Sequence, residues 1–135
     1  MAVPEKRSRK AFERDGGICL LRFLGCQHFA ECADHRANRG QGGAKSGVLD
    51  NLSNLISACG LCNGFKEAGA DREKCVARGV RVDGGRTHAH TAERARETPV
   101  LYPDGKRYLL CDAGHKHPQL KKGGYEECPT PEFQF

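Results

Sequence analysis

Tryptophan is absent from this chain, methionine occurs once, and aromatic residues make up only 7% of it. The apolar share is 38%, with tyrosine and cysteine counted. That is too little for a hydrophobic core to hold the fold strongly by itself. No 18 apolar residues run together, which excludes a membrane-spanning helix. Met1 to Lys10 is charged and lacks an apolar stretch, so no secretory signal is expected. The expected location is the cytoplasm, with no membrane partner. Strong charge of one sign is also missing: residues 1–67 carry ten basic and seven acidic side chains, and residues 68–135 carry twelve and ten. The net charge of +5 suits a polyanionic partner without demanding one.

What the chain has in quantity is glycine and cysteine, 17 and 8 of 135 residues. The length allows one compact domain, perhaps with a smaller appendage. The glycines mark loops and turns. In a reducing compartment, closely paired cysteines read as metal ligands sooner than as disulfides.

Ser8 to Arg14 has a capping serine and good helix formers before Asp15-Gly16-Gly17, which predicts a short helix. Ile18 to Phe29 reads as a knuckle or irregular strand pair, and Cys32 to His35 as a strand. The polar, glycine-rich stretch from Arg36 to Asp50 is a loop, Leu52 to Ala58 a returning strand, and Asn63 to Ala70 a short helix. Strand, loop, strand, helix is a ββα unit. Further on, Asp71 to Arg78 predicts a helix and Gly84 to Thr98 little order. Val100-Leu101 and Arg107 to Leu110 flank the turn sequence Pro103-Asp104-Gly105 as a hairpin, and the tail from Pro118 is expected to be loose. Residues 1–69 thus form the expected core, and residues 70–135 an irregular C-terminal extension of unknown role, packed on that core or flexibly linked to it.

Cys59-x-x-Cys62 is a pair that one turn can present to a tetrahedral ion, and Cys19-x6-Cys26 is the best candidate for the second pair. Four thiolates would close the site, making one zinc structural. Ordinary buried thiols are the alternative. Cys32 shares a strand face with Asp34 and reads as a buried small residue. Cys75, Cys111 and Cys128, with His115 and His117, pose the question of a second metal, although Cys111-x3-His115 is loosely spaced.

Asp34-His35 before the glycine-rich loop, then Asn54, then Cys59-Gly-Leu-Cys62-Asn63, resembles the HNH endonuclease family. That family carries an Asp-His pair, a middle Asn, and a His or Asn directly after the second cysteine. The resemblance covers about residues 8 to 68. It is strongest to phage-type members, through Ile18 to Cys26, Asp34-His35-Arg36 with Gly42-Gly43, and Leu49-Asp50-Asn51-Leu52-Ser53-Asn54-Leu55. Asn63 stands where many members have His, making this an HNN variant. The resemblance implies a small α+β fold, a zinc-stapled ββα-metal (His-Me finger) core.

Phosphodiester hydrolysis needs an activated water, a cation on the scissile phosphate, and stabilisation of the leaving 3′ oxygen. His35 suits the general base, because imidazole titrates near neutral pH. Asp34 and Asn63 offer hard oxygen ligands for one Mg²⁺ or Mn²⁺. Asn54 is the middle Asn that bonds backbone across the loop and orients His35; Asn51 is its rival in that register. Arg36, Arg39, Lys45 and Lys66 are candidate phosphate contacts. The expected activity is therefore metal-dependent DNA cleavage of double-stranded DNA, by nicking or by double-strand cutting. Small HNH proteins of this phage-like kind act in homing or beside the DNA-packaging terminase, in the cytoplasm of an infected host. The alternative is a zinc-stabilised nucleic-acid-binding module without catalysis. Target sequence and oligomeric state are not encoded in any motif.

Overall fold

Helix α1 (Glu5–Asp15) begins three residues before the expected Ser8, because Pro4 can precede a helix at no cost in N–H groups and Glu5 sets a negative charge in the first turn. It ends at Gly16, whose left-handed backbone (φ 72°) is followed by a hydrogen bond from Gly17 N–H back to Phe12 O at 2.8 Å. The computed structural model describes residues 3–38 and 47–127.

After a knuckle closed by a bridge between Ile18 and Phe29, strand β1 (Cys32–His35) pairs antiparallel with β2 (Leu55–Ala58). The register sets Cys32 opposite Ala58 and His35 opposite Leu55. The returning strand is shorter than expected. Val48–Asp50 and Leu52–Asn54 are single 3-10 turns, because Asn54 turns its amide back onto the loop instead of extending the ladder. Helix α2 (Gly60–Glu67) follows at once and starts earlier than Asn63. Cys59 caps it through Sγ, which accepts from Cys62 N–H at 3.4 Å, so the Cys-x-x-Cys segment is itself the first helical turn.

Helix α3 (Arg72–Ala77) lies within the expected span and is closed by Gly79. A Cβ at Gly79 would come within 1.8 Å of Pro99 O, so only glycine allows that approach. Helix α4 (His88–Glu97) occupies the stretch expected to lack order. Its polar composition hid a narrow buried face of Thr91, Ala92 and Ala95, and Thr87 Oγ1 caps its start by accepting from His90 N–H. Strands β3 (Val100–Leu101) and β4 (Arg107–Leu110) form the expected hairpin. A third strand, β5 (Lys116–Pro118), joins it in the order β3-β4-β5, so the sheet extends one strand further than the turn signals indicated.

The result is a small α+β fold with, among the described residues, four α-helices and two small antiparallel sheets. One core cluster joins Leu20, Leu21 and Ile56 from the first half to Val80, Val100, Tyr108 and Leu110 from the second. A polar seam fastens the parts further. Arg14 donates to Leu52 O (2.8 Å) and Leu55 O (2.6 Å), while Asp15 accepts from Ser57 N–H and from the Tyr102 hydroxyl. No helix of the described residues is long and apolar enough to cross a membrane.

Candidate metal centre and active site

Two candidate sites lie at the ends of the short hairpin. At one end Cys19, Cys26, Cys59 and Cys62 bring their sulfur atoms within 4.8 Å of one another, a cluster that could hold a metal such as zinc. Sulfurs around a tetrahedral zinc stand roughly 3.8 Å apart, given Zn–S bonds of about 2.3 Å, so small movements would complete the site. The donor set fits. Three of the four residues are buried, and polar groups already face the sulfurs: Cys26 Sγ accepts from His28 N–H as Cys59 Sγ does from Cys62 N–H. Burial raises the Cys19 and Cys62 thiols. Cys59 is subject to the same burial, yet backbone donors at Gln27 and Cys62 bring it down to about 7. A cluster with one acidic thiol among basic ones is ready to exchange protons for a metal cation.

The remaining described cysteines stand apart from this group. Cys32 is pushed up to about 11 by burial and by Asp34, and its thiol faces Ala58 O. Cys75 packs in the core. Among the described residues the four-cysteine group is the one metal-type cluster, and Cys111, His115 and His117 do not form another. Cys128 lies outside the described residues.

At the other end, β1 delivers Asp34 and His35. The two point differently, as alternation requires. Asp34 is buried, and its Oδ2 accepts from Lys66 Nζ at 2.7 Å. Burial pushes the Asp34 carboxyl up, against the opposing pull of the Lys66 ammonium. His35 remains partly exposed, and its Nε2 lies 2.7 Å from Asp50 Oδ1. In the tautomer whose proton is on Nε2, the ring donates to that carboxylate and leaves Nδ1 free to accept.

Asn54 is fully buried, accepts from Ala37 N–H (2.9 Å) through Oδ1, and donates through Nδ2 to Ala37 O (3.1 Å) and Leu49 O (2.8 Å). It thereby ties the chain just after His35 to the turn that carries Asp50. Among the described residues Asn51 makes no such span. Asn63 sits in the first turns of α2, and its Oδ1 is buried without a hydrogen-bond partner. A buried amide oxygen left unpaired costs free energy unless something polar or charged meets it. The oxygens of Asp34 and Asn63 are the donor type that Mg²⁺ and Mn²⁺ prefer, so the residues fit a hard cation.

The phosphate-contact expectations need correction at two residues. Arg36 is 1% exposed, and its guanidinium donates to Gly79 O, Ser53 O, Ala95 O and Thr98 O at 2.6–2.8 Å. It caps the end of α4 from inside the molecule and cannot reach DNA. Lys66 is 2% exposed and committed to Asp34 and to His35 O, so it too is no surface cation. In sequence both look like loop or helix-face cations, because burial of a charged side chain leaves no mark in local sequence. Arg39 and Lys45 lie outside the described residues. The sequence does not single out Asp50; its place two residues before Leu52, within the segment that resembles the family, is the available signal.

Compared with family models, curated proteins and solved structures, the chain matches none.

Proposed function

We propose that this chain is a metal-dependent DNA endonuclease of the HNH kind, an HNN variant built on a zinc-stapled ββα-metal core. The observation that carries the reading is the pairing of His35, oriented by Asp50, with the orphaned, buried Oδ1 of Asn63 on the helix whose Lys66 reaches Asp34. A buried amide oxygen left without a partner is the kind of donor that a hard cation would meet.

In this reading Cys19, Cys26, Cys59 and Cys62 hold one structural zinc, and Asp34 with Asn63 hold one Mg²⁺ or Mn²⁺. A divalent ion bound there would neutralise charge on the scissile phosphate and on the leaving 3′ oxygen. His35 Nδ1 takes the proton of the attacking water. Asp50 keeps the ring in the productive tautomer and stabilises the imidazolium that forms, a division of labour general to carboxylate–histidine pairs. Asn54 fixes the backbone on both sides of that pair. Double-stranded DNA is the substrate, and a role in homing or with a phage terminase in the cytoplasm of an infected host is the proposed setting.

The test is a supercoiled plasmid incubated with the zinc-loaded protein and Mg²⁺ or Mn²⁺. Nicked or linear product is expected, with none when EDTA-treated buffer replaces the divalent ion. DNA that is bound but uncut would instead identify a non-catalytic nucleic-acid-binding module.

A further inference from the structure

Lys66 is the least expected side chain of the site. Lysine is rarely buried unless paired, and here its Nζ lies 2.7 Å from Asp34 Oδ2 and 2.6 Å from His35 O, both oxygens of the strand that carries the active site. One helical turn earlier, Asn63 offers a third buried oxygen that no group meets. A carboxylate, a carbonyl and an amide oxygen, supplied by one strand end and one helix, make a hard-cation set. The protein's own ammonium engages two of its members.

We propose that Lys66 is a built-in counter-cation that exchanges with the divalent ion: loading the metal on Asp34 expels the Lys66 ammonium from the site. This rests on the reading that Asp34 and Asn63 hold that ion. Two cations at one carboxylate that is 4% exposed repel strongly where water does not screen them. The metal-free protein would otherwise hold an unpaired buried carboxylate, which is strongly destabilising, and Lys66 removes that penalty. The four-carbon stem of lysine lets the ammonium swing to solvent once displaced.

The experiment is a titration of the zinc-loaded, ¹⁵N-labelled full chain with Mg²⁺, watching the Lys66 ammonium and the Asn63 side-chain amide by NMR, with Lys66→Arg identifying the lysine signal. A protected ammonium resonance is expected without Mg²⁺. It should vanish into exchange with water over the same Mg²⁺ range in which the Asn63 amide shifts. Calorimetry should add that Lys66→Met binds Mn²⁺ about tenfold more tightly than the wild type. An Asn63 shift with the Lys66 signal unmoved would overturn the exchange while leaving the metal site standing. No change at either residue at saturating Mg²⁺ would overturn both. Weaker Mn²⁺ binding by Lys66→Met would show that Lys66 only positions Asp34, which also overturns the exchange.

Discussion

Arg36 and Asp50 show how much a single side chain's surroundings decide. Arg36 follows the Asp-His pair directly and looks in sequence like a basic residue offered to a phosphate, yet four backbone carbonyls from three segments surround its guanidinium. Arg36→Met should therefore destabilise the fold by about 3–5 kcal/mol, because it orphans several buried acceptors at once. Urea unfolding measures this, and a variant of unchanged midpoint would contradict the structural role. Asp50 is the reverse case, a residue with no obvious role in sequence that holds the histidine ring. Asp50→Asn keeps the shape and loses the charge, so cleavage should fall roughly 10²-fold or more under single-turnover conditions, within the range for general-base catalysis, with the melting temperature little changed. Asn54, by contrast, was legible: an amide nine residues before Asn63 was expected to bond across the loop, and it spans Ala37 and Leu49. Burial and partner choice for Arg36, Lys66 and Asp50 were not legible, since they depend on Gly79, Ala95, Thr98 and other residues distant in sequence.

The elements were readable where punctuation marks them. Gly16 ends α1 and Pro103-Asp104-Gly105 turns β3 into β4, whereas the Cys59 cap starts α2 earlier than the expected Asn63. Helix α4 and strand β5 were not, because each is held by neighbours: α4 by a buried stripe of three small residues and the Arg36 cap, β5 by pairing with β4 and by Lys116 Nζ lying 4.6 Å from the Tyr102 ring centre and 4.8 Å from that of Tyr108. The buried residue of β5 is His117, whose Nε2 has no hydrogen-bond partner among the described residues. Burial, aided by nearby His115, lowers the His117 pKa below 6.5, so the folded state resists its protonation. The unfolded chain then binds more protons than the folded one between that lowered value and about 6.5, and stability falls as pH drops through this window. Melting curves of wild type and His117→Gln from pH 7.5 to 5 should show the variant losing less stability on acidification. Parallel curves would remove His117 from the account.

For the whole molecule, a sparse core and four convergent thiols belong together. The core cluster runs from Leu20 to Leu110 through the cysteines themselves, so the four-cysteine cluster and the hydrophobic interior are one structure. One tightly held zinc per chain is expected by elemental analysis, and Cys59→Ser or a strong chelator should unfold the protein, seen as loss of its cooperative melting transition. Two zinc ions per chain, or a fold indifferent to chelation, would contradict this. On that scaffold rests the central claim, that His35 is the base of a metal-dependent DNA cleavage reaction. The most direct test compares single-turnover plasmid cleavage by wild type and His35→Ala at matched zinc content and matched melting temperature. The prediction is cleavage by the wild type with Mg²⁺ or Mn²⁺ and a loss of at least about 10²-fold in the variant; an equal rate in both, or no cleavage by the wild type, would contradict it.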